Sequence, residues 1–450
     1  MSFRARLISA ALVASLLGGL VWVAASGRTL GSSEPDGGSF LAPGKTTINL
    51  WYADDAMTDF LNEAAVAYNA AQSRYRVEPA LQSGVEYLEE INRASVDADK
   101  DMPDVYVISN DMLEKAALAG LAVPVEDESL NDTVIYPQPA IDAVSYSGKT
   151  YAYPFYFETA ALLYNRGYLE AAGAEPPATI LDLVRFANSY DAPEGVEAVF
   201  TWDVGDIFYN YYFVGSMISV GGSHGDDSSQ INIYNADAIR SLQVYQQLNQ
   251  YFSIDTKSVS YESVLEDFIA GKQVFTVATS DAVRTIAQAA EEGSFTGEYG
   301  VCRLPDITDS LPARGISVTN CLAVNGYSEE QEEATRFIRY MLYDKKADFF
   351  DRTGKPLAQN GYSYSDAHMD GFLDAYTDSV PISKMRATSN FWMLLENAFS
   401  EIWNGADPNA SLKSLYEQTM TQITGDSSFT AEALPEPERI DINEELSGGE

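Results

Sequence analysis

An alternation of two hydrophobic periods constrains this sequence most. Apolar, β-branched runs at 46–52 (TTINLWY), 75–81 (YRVEPAL) and 104–108 (DVYVI) are separated by stretches with helical spacing. Between the first two runs, Phe60, Leu61, Ala64, Ala65, Tyr68 and Ala71 share one helical stripe. A second helix is predicted around 87–98, and a third over 112–119 that stops at Gly120. Strands alternating with helices imply a mostly parallel sheet covered on both faces. Ligands of such sheets gather just beyond the carboxyl ends of the strands. That places Ala53-Asp54-Asp55 and Ser109-Asn110-Asp111 in the first candidate loops.

The pattern repeats further along. Residues 148–166 (GKTYAYPFYFETAALLYNR) hold two dense strand-like runs around Glu158. Helices are predicted from Pro177 onward and over 235–250 and 261–270; a strand at 274–278 ends at Thr279-Ser280-Asp281. A loop with Pro305 and Pro312 leads into a strand reaching Val324, and helices follow at 331–343, 390–403 and 410–421. The tail, 425–450, carries eight acidic residues and one arginine and reads as disordered.

Arg4 and Arg6 precede an uncharged apolar run over 7–25 that ends in small residues, the pattern of an export signal or an uncleaved membrane anchor over 1–26. The Gly-, Ser- and Pro-rich segment 27–45 reads as a tether. The body is expected outside the cytoplasmic membrane as a monomer. Lys and Arg number 28 against 66 Asp and Glu, a net charge of −38 that repels phosphate backbones and argues against nucleic acid. Aromatics at 12% supply a core that a disordered acidic chain lacks. Two histidines are too few for a multi-histidine metal site, and neither metal nor cofactor is expected. Cys302 and Cys321 lie in strand-like segments and permit either one disulfide or two reduced, buried thiols.

Several blocks in order make the chain resemble the extracellular solute-binding proteins of ABC importers, in their carbohydrate-binding, maltose-binding-protein-like branch. They are INLWYADD, MPDVYVISND, YSGKTYAYPFYFETAALLYNRGYLEAAG, SVLEDFIAGKQVFTVATSDA, YGVCRLPD with ISVTNCLAVNGYS, and SNFWMLLENAFSEIW. The third block is the most specific. The resemblance implies an α/β, two-lobe clamp with a hinge, each lobe a mostly parallel sheet flanked by helices. The chain would cross between lobes near Phe157, Leu304 and Tyr327. Lobe one would be 46–156 plus 305–327, and lobe two 157–304 plus 328–424. Both cysteines would then fall on hinge strands.

Such a protein is not an enzyme. It captures a solute, here a mono- or oligosaccharide, by hinge closure and delivers it to ABC transporter permease subunits. By the resemblance, Asp54, Asp55, Asn110 and Asp111 match lobe-one polar ligands, Glu158 the crossover glutamate, and Trp392 an aromatic stacking position. Tyr211 and Asp206 correspond loosely, and Asp281 stands where relatives often carry an aromatic. Met112 and Met393 replace an Arg and a Tyr of maltose binders, which puts maltose itself in doubt. Carboxylates and amides suit sugar hydroxyls, and aromatic rings cover the apolar faces.

Other readings stand beside these. Trp51 fits a core as well as a site, the tyrosines of 209–212 fit a core on alternate positions, and Asp55 fits a helix cap. The acidic candidates Asp54, Asp55, Asp111, Glu158 and Asp206 would also suit a polyamine or another cationic solute. A glycoside hydrolase would need a pair of carboxyl groups across a cleft, against which the family blocks argue. The few basic residues in the candidate loops disfavour an anionic ligand. Ser147-Gly148-Lys149-Thr150 lacks the upstream glycine of a phosphate loop, and 221–227 (GGSHGDD) lacks the spacing of a calcium loop and reads as solvated.

Overall fold

The computed structural model describes residues 45–82, 84–97 and 100–447. The export segment 1–26 and the tether, apart from Lys45, lie outside the described residues. Among these residues no helix is long and apolar enough to cross a membrane. Lys45 donates from Nζ to the carbonyls of Asn69 (2.8 Å) and Gln72 (2.9 Å), where a cation suits the end of a helix.

Nine strands form one continuous sheet: β1 (Thr46–Tyr52), β2 (Tyr75–Leu81), β3 (Val105–Ser109), β4 (Tyr153–Asn165), β5 (Ala198–Phe200), β6 (Gln273–Thr279), β7 (Tyr299–Cys302), β8 (Ile316–Val324) and β9 (Val380–Pro381). Their order is β2-β1-β3-β8-β4-β6-β5, with β7 also on β4 and β9 on β8. The two runs expected around Glu158 are a single strand of 13 residues. Its first half, up to Thr159, pairs antiparallel with β8; from Ala160 onward it pairs with β6, and from Leu162 with β7. One strand thus serves both lobes, and the first crossing lies at the Glu158–Ala160 step. β1, β2 and β3 are mutually parallel, and β5 is parallel to β6.

Alternation along the strands dictates the layers. In lobe one, Ile48, Leu50, Val105, Val107, Leu322 and Val324 face α1 (Thr58–Ala71), while Trp51, Tyr106, Ile108 and Cys321 face α2 (Tyr87–Val96) and α3 (Leu113–Leu118). Trp51, 8% exposed, is a core residue. In lobe two, Ala160 and Leu162 face one core, and Ala161 and Leu163 the other. The first core holds Trp202 and Trp403, their rings edge-on at 5.5 Å.

The later crossings depart from expectation. Residues 305–313, expected in lobe one, bury Ile307, Leu311 and Ala313 in the lobe-two core. They are held there by Asp306, whose amide donates to Ala178 and whose carbonyl accepts from Ile180 (2.9 and 2.7 Å). The chain crosses at Arg314, whose guanidinium donates to the carbonyls of Asp378 and Ser379, both at 2.9 Å. No crossing occurs near Tyr327. Ala334, Phe337, Ile338, Phe349 and Leu357, assigned from sequence to lobe two, pack with Ile48 and Leu50. The helix over 331–339 covers sheet surface that α1 alone leaves open. Phe350, Met369, Phe372 and Ala375 pack with Ala161 and Leu163, while Tyr376 packs in the lobe-one core, so 350–376 lies against both lobes.

The tail is ordered. Ile442 is fully buried, its amide donates to Gln247 Oε1 (3.2 Å), and Gln247 Nε2 donates to the Ile440 carbonyl (2.7 Å). Residues 425–447 therefore drape over lobe two and close with a short helix, Ile442–Ser447. Their sparse apolar residues escaped the compositional reading because glutamine side chains of the underlying helix, Ala236–Phe252, satisfy the tail backbone.

Both cysteines are free, Cys321 buried and Cys302 partly so. Cys302 sits opposite Leu162 and Cys321 opposite Pro154 on β4. At about 3.3 Å per residue that is roughly 25 Å, far beyond disulfide reach. Of the two readings left open, the reduced thiols hold, because the two strands flank different ends of β4. Burial pushes the Cys302 thiol up to about 11.

Candidate functional site

Beyond β1, Asp54 caps a short 3-10 turn, accepting from the Ala56 amide (3.1 Å), so the capping that stood as an alternative role for Asp55 is done by its neighbour. Asp55 is exposed. Asp54 Oδ2 also accepts from the Tyr156 hydroxyl (3.2 Å) and lies 3.4 Å from Lys355 Nζ. The same ammonium is 3.3 Å from Glu158 Oε1 and 5.9 Å from the Tyr156 ring centre.

Lys355 was not legible as a site residue. It enters because 355–358 runs antiparallel to β4: Tyr156 bridges to Leu357, the Phe157 amide donates to Pro356 (3.1 Å), and the Ala358 amide to Phe155 (2.9 Å). That register sets Lys355 opposite Glu158. Burial acts to lower the Lys355 ammonium, but Glu158 and Asp54 outweigh it and hold it above the ordinary lysine range, with Asp281 adding to the same field. Burial, then Asp54 and Glu158, push the Tyr156 hydroxyl well above its ordinary value.

Asp281 is exposed at the end of β6, and the Tyr261 hydroxyl donates to it (3.1 Å). The Tyr261 ring stacks on Tyr209 at 5.1 Å and 9°. Beneath them Asp203 accepts from the amides of Gly205 (3.0 Å) and Tyr261 (3.1 Å); burial pushes its carboxyl up to about 6. Asp206 caps the next turn through the Phe208 amide (2.8 Å). Sequence reasoning missed Tyr261 and Asp203; the tyrosine-rich run nearby was the only available signal.

Trp392 is half-buried, with its ring 5.5 Å from Tyr211 at 53°. Both line a cleft of about 180 Å³ on lobe two, together with Arg314, Pro381 and Ser383 of the crossings. Tyr211 is 2% exposed.

Asn110 does not fit the ligand role expected of it. It is fully buried; its Oδ1 accepts from the Thr319 amide and its Nδ2 donates to the Ile382 carbonyl, both at 3.0 Å. Its polar atoms are spent in joining the crossings. Asp111 is half-buried and accepts from Ser109 Oγ.

The loop 221–227, expected to be solvated, straps the lobes together instead. Asp226 accepts from the Ser147 amide (2.7 Å), and His224 Nδ1 lies 3.0 Å from Asp142, both partners on lobe one. Lys384, 1% exposed, donates from Nζ to the carbonyls of Asp142 (2.8 Å) and His224, and from its amide to Gly225 (2.8 Å). Gly225 has φ +65°, and a Cβ there would lie 2.9 Å from Ser383 Cα, so only glycine permits this approach.

Over residues 54–347 the chain matches the family described as bacterial extracellular solute-binding protein. The maltotriose-binding protein of Pyrococcus abyssi is 30% identical over 131 residues, a match spanning 28% of this chain and 27% of that protein. An extracellular solute-binding protein of Staphylococcus aureus, solved with maltose, superposes with a TM-score of 0.72 at 18% identity, covering 86% of this chain and 98% of that one. The maltose-binding periplasmic protein of Listeria monocytogenes, also solved with maltose, gives 0.71 at 19% identity, covering 86% of this chain and all of its own.

Proposed function

The chain belongs to the bacterial extracellular solute-binding protein family, and from that premise we propose that it captures an oligosaccharide between two lobes and hands it to an ABC importer permease. The lobes proposed are 46–157 with 316–357, and 160–313 with 382–447. Capture follows from geometry: a ligand that touches both lobes is held fully only when they close, so binding shifts an open–closed equilibrium. One observation carries the sugar reading. Carboxylates from lobe one (Asp54) and the shared strand (Glu158) meet at an internal ammonium, Lys355, which also feels Asp281 of lobe two. Such a set offers charge-balanced acceptors to hydroxyls, while Trp392 and the Tyr209–Tyr261 stack offer flat apolar faces.

The relatives bind maltose and maltotriose, which supports an α-glucan ligand. Family members act outside the cytoplasm, and we place the anchor or signal in 1–26. No bond is made or broken in this role. The test is a thermal-shift series with maltose, maltotriose, maltotetraose, glucose, putrescine and spermidine. Oligosaccharides raise the melting temperature with rising concentration. A rise with the amines alone would sink the sugar reading.

A further inference from the structure

The notable charge between Asp54 and Glu158 is the one of opposite sign. In a chain of net charge −38, any concave acidic surface draws cations. Asp54 and Glu158 come from different segments, and an unfilled space between them would suit a ligand ammonium. Here that space is taken by Lys355 Nζ, 3.4 Å from Asp54 Oδ2 and 3.3 Å from Glu158 Oε1. The lysine is not a loosely tethered surface group. Its side chain is 21% exposed, its backbone is pinned opposite Glu158 by the strand-like pairing of 355–358, and the Tyr156 ring flanks its head.

The remaining valences matter as much. Asp54 Oδ1 is spent on the Ala56 amide, and Oδ2 receives the Tyr156 hydroxyl. Glu158, with 42% of its side chain exposed, carries on Oε2 no hydrogen bond among the described residues. The cluster therefore presents to solvent an acceptor whose charge is already balanced.

We propose that Lys355 sets the charge class the cleft accepts: its ammonium occupies from within the chain the place of a cationic ligand, leaving Glu158 to accept hydroxyl groups of a neutral polyol. This rests on the capture reading above and adds a residue that excludes amines. An ammonium brought to this cluster meets Lys355 at close range, whereas a hydroxyl does not. Removing the lysine head leaves two carboxylates without their counter-ion, a site that favours cations.

The experiment is calorimetric titration of wild type, K355R and K355M with maltotriose and, separately, with spermidine, in 50 mM salt. Wild type and K355R bind spermidine no better than each other. K355M binds spermidine at least tenfold more tightly than wild type, and that gain fades when salt is raised to 500 mM. The double variant E158Q/K355M loses most of the gain. K355Q replaces K355M in every arm should the latter fail to fold, as judged by circular dichroism.

A K355M protein with no gain in spermidine affinity overturns the proposal, even if maltotriose binding is lost, because Lys355 would then serve packing alone. Failure of the sugar reading is visible separately. Wild type would bind no maltotriose, and the spermidine comparison would still decide the role of Lys355.

Discussion

Lys384 carries a charge into a buried seam, and stability should follow its titration. Its ammonium is 1% exposed and is held by the carbonyls of Asp142 and His224. The charged or titratable groups around it are the Asp142 and Asp226 carboxylates, the His224 ring and the Cys321 thiol. Burial dominates and pushes the ammonium down to about 8, against the pull of Asp226 and Asp142. An unfolded lysine titrates near 10.4. Between these values the unfolded chain binds the proton and the folded chain does not, so stability rises with pH across the window and is lost as pH falls through 8. Each pH unit is worth about 1.4 kcal/mol, so the gain from pH 8 to pH 9.5 is about 2 kcal/mol. Urea unfolding of wild type and K384M at pH 7.5, 8.5 and 9.5 isolates it, because the other ionising groups remain in both proteins. The wild-type curve should climb relative to the variant by about 2 kcal/mol. Parallel profiles would refute the idea that burial disfavours the Lys384 ammonium in this seam.

Three further outcomes are expected. Ile442→Ala should cost about 3 kcal/mol in urea unfolding, the range for an emptied core position, whereas a tail free of lobe two would leave stability unchanged. Adding a thiol reductant should not move the melting temperature, since Cys302 and Cys321 are free; a fall of several degrees would restore the disulfide. Trp392→Ala should weaken maltotriose binding about tenfold, or 1.4 kcal/mol, measured by calorimetry, and unchanged affinity would remove Trp392 from the site.

Much of lobe one was legible because its signals are local. The apolar, β-branched runs at 46–52, 75–81 and 104–108 and the stripe on Phe60, Leu61, Ala64 and Ala65 fix strands and helices without help from distant residues. Asp54, Glu158 and Trp392 could be singled out for the same reason: each follows a strand end or lies in a recognisable block. The failures share a cause. Asn110 looks like an available amide until Thr319 and Ile382, more than 200 positions away, are seen to consume it. Composition made the tail look unfoldable, but its partners Gln243 and Gln247 lie nearly 200 residues upstream.

The sequence by itself determined the elements, their alternation and, through its ordered blocks, the family. It also determined the net charge of −38. Only the tertiary structure decided which core 305–313 and 331–357 join, that the cysteines lie on strands flanking different ends of β4, and that Lys355 meets Asp54 and Glu158. Those outcomes depend on register between segments remote in the chain. Hydrophobic periodicity tells each segment which face to bury, but not which partner will cover it.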